Sequence, residues 1–185
     1  MNLVFLLEEP SAKDLLEGLL PKLLPEGVTP YFLVFEGKQD LEKQLVKKLR
    51  GWRRPNSSFV VLRDQDSGNC KDVKAKLTKL VVESQREPVL VRVACTELEC
   101  WILGDWAAVA QAFGQPKLSA HAAKPAFQNP DQIVRPVESL RKVIPDYQKR
   151  DGARRVGPLL DPDRNQSVSF QRFCSGLRRL VAKRA

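Results

Sequence analysis

The sequence predicts an α/β fold, a mostly parallel sheet of four or more strands with flanking helices, followed by a helical C-terminal appendage. Three observations lead there. Short apolar runs alternate with segments of helical periodicity up to about residue 114, the rhythm of βαβ units. From about residue 115, seven prolines (Pro116, Pro125, Pro130, Pro136, Pro145, Pro158 and Pro162) break the chain into short pieces. The charge shifts with the texture: residues 1–114 carry 16 Lys+Arg against 16 Asp+Glu, whereas 115–185 carry 15 against 6 and hold the whole net charge of +9.

The apolar run 3–7 (LVFLL) reads as a buried first strand. Ser11 with Asp14 three residues on has the pattern of a capping box, and Leu15, Leu16, Leu19, Leu20 and Leu23 recur at helical spacing until Pro21 kinks or ends the helix. Residues 31–36 (YFLVFE) read as a second strand stopped at Gly37. Leu41, Leu45, Val46 and Leu49 mark a second helix that ends near Gly51. A third strand, 58–63, runs into the polar turn Asp64-Gln65-Asp66-Ser67-Gly68. Val73, Leu77, Leu80 and Val81 mark a third helix, 89–94 a fourth strand, and Trp106 to Phe113 a short helix that Asp105 can cap. In the second part, helices are expected at 137–144 and at 168–183, the latter capped by Ser167. Residues 1–114 thus read as a core and 115–185 as a basic appendage packed on it, together one compact domain.

Composition excludes several classes. No apolar run is long enough to cross a bilayer, and the N-terminus lacks a basic segment, so it reads as a strand rather than a signal peptide and a cytoplasmic location is expected. Cys70, Cys95, Cys100 and Cys174 form no C-x-x-C pair and His121 is the sole histidine, so a structural zinc site is not expected and the cysteines read as free thiols. The three tryptophans, Trp52, Trp101 and Trp106, read as packing residues.

The chemistry lies in acids at strand ends. Glu8 and Glu9 follow the first strand, Glu36 closes the second, Asp64 and Asp66 follow the third, and Glu97 and Glu99 follow the fourth. In a parallel sheet these share one edge, where open α/β sheets bind ligands. Crowded carboxylates repel, and a hard divalent cation relieves them. Residues two apart in an extended chain point the same way, so Asp64 and Asp66 are expected to approach one ion together, with Glu8 beside them. Glu97 and Glu99 have a competing reading, because Thr96-x-x-Glu99 is itself a capping box, and Glu9 reads as a charged loop residue beside Pro10.

A strand ending in Glu, a helix, and a later strand ending in Asp-x-Asp form the pattern of TOPRIM domains, a Rossmann-like fold. More specifically, the chain resembles a bacterial TOPRIM-like family described as domain of unknown function 4276, also called RloG-like. The resemblance is carried by Leu7-Glu8-Glu9-Pro10-Ser11, Glu36-Gly37-Lys38, Val61 to Cys70 and Ala94 to Asp105, and further by Tyr147-Gln148-Lys149 and Asn165 to Phe170. It implies a TOPRIM-type metal-binding core over 1–114, with Glu8 matching the TOPRIM glutamate, Asp64 and Asp66 the metal-chelating pair, and Glu97 and Glu99 further acids of two-metal nucleases. The glycine common after that glutamate is Glu9 here, and a frequent acid a few residues later is Ala12.

The function expected is an Mg²⁺- or Mn²⁺-dependent nuclease or related phosphodiester enzyme. Glu8, Asp64 and Asp66 would be catalytic, Glu8, Asp64, Asp66, Glu97 and Glu99 would hold metal, and Lys124, Lys149, Arg154 and Arg155 would hold the nucleic-acid backbone. The resemblance also implies an ABC- or AAA-type ATPase partner encoded nearby, in phage defence. The alternative is a non-catalytic module of the same fold that binds a partner ATPase or nucleic acid. A phosphoacceptor receiver domain also uses strand-end acids, but needs a Lys after a fifth strand, and the pattern breaks into Pro-rich text after the fourth.

Overall fold

The computed structural model describes residues 1–183. Four strands, β1 (Asn2–Leu7), β2 (Thr29–Val34), β3 (Ser57–Asp64) and β4 (Val89–Ala94), pair in the order β2-β1-β3-β4, every pair parallel. Helices α1 (Pro10–Leu19), α2 (Lys38–Gly51) and α3 (Cys70–Ser84) make the crossovers. The shorter α4 (Glu99–Leu103), α5 (Trp106–Ala112), α6 (Pro136–Arg141) and α7 (Lys149–Val156) follow, then α8 (Val168–Ala182).

Strand periodicity sorts the core into two layers. Val4, Leu6, Phe59, Val61, Val91 and Val93 face α2 and α3, joined by Leu41, Leu45, Leu49 and Leu77. Leu3, Phe5, Leu7, Val60, Leu62 and Ala94 face the other way, into a larger cluster that includes Leu15 and Leu16 of α1, Trp101, Trp106, Tyr147, Phe170, Phe173 and Leu177. Residues on both sides of position 115 therefore share one core. Trp101 and Trp106 are buried in it, and Trp52 packs against the opposite layer.

The chain leaves β1 toward β2 on one side and returns to β3 on the other. The point where the strand order reverses lies between the C-terminal ends of β1 and β3, the crevice in which doubly wound sheets bind ligands.

Three local expectations give way. The first helix starts at Pro10 with Glu9 at its N-cap, so Ser11 is already inside it, and Asp14 instead pairs with Arg150 of α7 at 2.6 Å. The proline at the first helical position, whose missing N–H costs nothing there, sets this boundary. The second strand ends at Val34, which leaves Glu36 in the exposed loop before α2. Thr96 does not cap α4, whose N-cap is Leu98 without a side-chain bond: the Thr96 backbone is left-handed (φ 61°) and its hydroxyl donates to the Asp131 carbonyl. Ser167 does cap α8 by accepting from the Phe170 N–H, and Asp105 caps α5 by accepting from the Ala108 N–H.

Asp105 also ties the C-terminal segment to this cap. Its buried carboxylate accepts two bonds from the Arg164 guanidinium, at 2.8 and 2.9 Å, and one from the Asp161 N–H. No helix among the described residues is long and apolar enough to cross a membrane. Asp105→Ala is expected to destabilise the fold by roughly 2–4 kcal/mol, a lost cap of ~1 together with charge-assisted bonds of ~1.5–3. Urea unfolding measures it, and a change below ~1 kcal/mol would contradict the anchoring role.

Candidate metal centre

At the reversal point, parity decides which acids meet. The core-facing residues of β1 are Leu3, Phe5 and Leu7, and those of β3 are Val60 and Leu62. Leu7 lies opposite Leu62, so the same parity carries on to Glu9 and Asp64. Glu9 sits in extended conformation at the N-cap of α1, where its carboxylate accepts a hydrogen bond from the Ser11 hydroxyl. Asp64 is the last residue of β3. Glu99, the first residue of α4, arrives from beyond β4. Carboxylate oxygens of Glu9, Asp64 and Glu99 all lie within 4.8 Å of one another.

Glu99 is the most unusual member. Its side chain is 1% exposed, and neither carboxylate oxygen has a hydrogen-bond partner. Burial raises its pKa from 4.5 to about 7, against the pull of Lys149 and with the push of Glu9. Asp64 is buried too; burial, then Glu9, Glu99 and Glu8, push its pKa well above the ordinary carboxylate value. The neutralising charge among the described residues is Lys149 of α7, whose Nζ lies 3.2 Å from Glu9, 3.5 Å from Glu99 and 3.7 Å from Glu97. Burial disfavours its ammonium form, but Glu99, Glu9 and Asp64 more than offset this, and its pKa rises.

Two residues near Glu99 shape the site. The Tyr147 hydroxyl is buried without a hydrogen-bond partner, and burial followed by the Glu99 and Glu9 charges raises its pKa. A Cβ at Gly152 of α7 would collide with the Tyr147 ring, so only glycine lets the ring lie against that helix.

Glu8 falls on the other side of the parity divide, and Asp66 lies beyond the end of the strand. Glu8 accepts a hydrogen bond from the Asp64 N–H at 3.0 Å and lies 3.7 Å from Arg63 Nε; burial is the main cause of its raised pKa. β3 ends at Asp64, and Asp66 is left-handed (φ 55°), so two-residue periodicity does not extend to it. Its carboxylate pairs with Lys38 at 3.0 Å and Arg63 at 3.6 Å, and it is not among the three mutually close acids. Glu97, half-buried, reaches the centre through Lys149.

The other cations named from sequence are placed differently. Lys124 is exposed beside His121, Arg154 lies 3.7 Å from Asp14, and Arg155 pairs with Asp151 at 2.8 Å.

A family model matches residues 7–178, nearly the whole chain; its description is domain of unknown function (DUF4276). The chain belongs to the DUF4276 family. No curated protein and no solved structure matches it significantly. The matched span of this DUF4276 chain contains Glu9, Asp64, Glu99, Tyr147 and Lys149.

Because the folded pKa of Glu99 lies above its ordinary value, its contribution to stability is complete below about pH 4.5 and is lost as the pH rises through about 7. Asp64 acts in the same direction. Lys149, with a raised pKa, contributes throughout this range, and the carboxyls with lowered values (Asp14, Asp40 and Asp161) act only at more acidic pH. In EDTA, the unfolding free energy should fall between pH 5 and pH 8, and Glu99→Gln should flatten the fall. An unchanged slope in that variant would contradict the burial assigned to Glu99.

Proposed function

We propose that this protein is a divalent-metal-dependent phosphodiester enzyme of TOPRIM-like type, a nuclease in the first instance, with Glu9, Asp64 and Glu99 holding Mg²⁺ or Mn²⁺. The observation that carries the reading is Glu99: a buried carboxylate with no hydrogen bond to either oxygen and only the Lys149 ammonium, at 3.5 Å, as counter-charge, close to two further carboxylates in the ligand-binding crevice of the sheet. Burying a charge without hydrogen bonds is costly, and such groups are paired or coordinate metals. The donor set is all carboxylate, with no histidine or thiol, which favours hard oxygen-seeking ions over zinc.

A divalent ion there supplies Lewis-acid polarisation of a phosphoryl oxygen and activation of water. The protein's own groups then have separate tasks. Glu8, which accepts from the Asp64 N–H and whose pKa burial raises, would move a proton at the rim of the site. Lys149 offsets the carboxylate charge and is the group a bound cation would displace or join. Asp66, held by Lys38 and Arg63, orients the loop after β3. TOPRIM-like proteins of this kind are often encoded beside ABC- or AAA-type ATPases in phage-defence islands, and such a partner is part of the reading.

One observation favours a second reading. The Lys149 ammonium already lies among Glu9, Glu97 and Glu99, an arrangement that would also suit a non-catalytic module scaffolded by a lysine and binding an ATPase or nucleic acid.

Calorimetric titration with Mn²⁺ and cleavage assays on plasmid and single-stranded DNA and RNA separate the two. The enzyme reading expects Mn²⁺ binding that is lost in Asp64→Asn and in Glu99→Gln. It expects cleavage that falls by more than the 10–100-fold typical of losing an outer-shell partner. Metal binding and cleavage that survive both substitutions would overturn it, and an absence of both in the unaltered protein would favour the module.

A further inference from the structure

At the open edge of the sheet runs a groove of about 410 Å³ between α3, β4 and α8. Four cations line it: Lys74, Arg92, Arg172 and Arg179. Among the described residues none of the four makes an ion pair. The one acid in the lining, Asp131, is already engaged, its oxygens accepting from the Ser167 hydroxyl and from the N–H and hydroxyl of Ser169.

Arg92 has the most specific placement. Its neighbours at the same parity on β4, Leu90 and Ala94, pack against the larger core cluster, so an apolar residue would be expected at this position. Instead its guanidinium lies along α8, with Nε donating to the Arg172 carbonyl and Nη1 to the Val91 carbonyl. Its Nη2 rests where a side chain at Gly176 would be, and a Cβ there would collide with it. Burial, then the Arg179 and Arg172 charges, lower the Arg92 pKa. An arginine does not shed its proton near neutral pH, so the repulsion persists until an anion answers it.

An inward-pointing charge on an edge strand can simply discourage pairing with another chain. That accounts for Arg92 alone. It does not account for Arg172 and Arg179, which stand seven residues apart on α8 with the Gly176 notch, filled by Arg92, between them. Seven helical residues cover about 10 Å, so the two guanidiniums would meet different phosphates of a strand rather than one. The cations form a row rather than a cradle closing on one point.

We propose that this row binds the phosphodiester backbone of a nucleic-acid strand and leads it to the metal centre. Cys95, the residue after β4, lines the groove, and Glu97 and Glu99 follow it two and four residues along the chain. The inference rests on the phosphodiester reading above for its direction, but the binding it describes needs no metal.

The test is fluorescence anisotropy of a labelled single-stranded oligonucleotide, in EDTA, over a series of salt concentrations. Arg172→Ala/Arg179→Ala, at two exposed positions, should weaken binding by about tenfold or more and reduce the salt slope by about 1.4. Lys43→Ala/Lys47→Ala, two exposed lysines of α2, should stay within about twofold of the unaltered protein. Because binding is read in EDTA, it does not depend on a bound metal, which separates this inference from the metal reading. Equal loss in both double variants, or no loss in either, overturns the groove while leaving the metal centre standing. Pyrophosphate raising the unfolding temperature without any oligonucleotide binding overturns the assignment to a strand backbone.

Discussion

The arrangement depends on one electrostatic problem: carboxylates brought out of water at the point where the strand order of the sheet reverses. Glu99 and Asp64 are buried, Glu9 joins them and raises the cost of ionising both, and Glu99 raises that of Asp64 further. The fold tolerates this because the C-terminal half answers it. Lys149 of α7 places an ammonium against three of the acids, and Asp14 of α1 clamps α7 in place through Arg150 and Arg154. The α1–α7 packing that closes one side of the core therefore also sets the charge balance of the site. A single lysine against this many carboxylates leaves room for a further cation.

That coupling gives the basic half two distinct tasks. Around α7, its cations are consumed in ion pairs with acids of the first half and of α7 itself. Along α8, Arg172 and Arg179 face a groove without partners among the described residues. The excess positive charge visible in the composition is thus divided between neutralising a buried site and presenting a row of guanidiniums. Net charge alone does not separate these uses, since it records neither burial nor pairing.

The sheet was legible because its strands are short apolar runs bounded by Gly, Pro and polar turns, and because βαβ alternation fixes parallel pairing. The gathering of acids at one edge follows from that topology. The membership of the cluster was harder to read. Glu8 and Glu9 are adjacent, and extended chain sends adjacent residues to opposite faces, so choosing between them needs the register of β1 against β3. That register sets Leu7 opposite Leu62, and hence Glu9 level with Asp64 and Glu8 level with Arg63. Asp66 escaped a two-residue rule because the strand stops before it and the backbone turns left-handed. Lys149 and Tyr147 come to the site from far along the chain, by helix packing that local patterns do not record. One cue was present in the pattern: Glu9 stands where the resembled motif has glycine, a substitution that adds a carboxylate at the N-cap of α1.

The most direct measurement is anomalous diffraction from crystals grown with Mn²⁺. A manganese peak bounded by carboxylate oxygens of Glu9, Asp64 and Glu99, with the Lys149 ammonium moved aside or retained at its rim, is the predicted result. A peak centred instead between Glu8 and Asp66, or an unchanged Lys149 with manganese only elsewhere on the molecule, would contradict it.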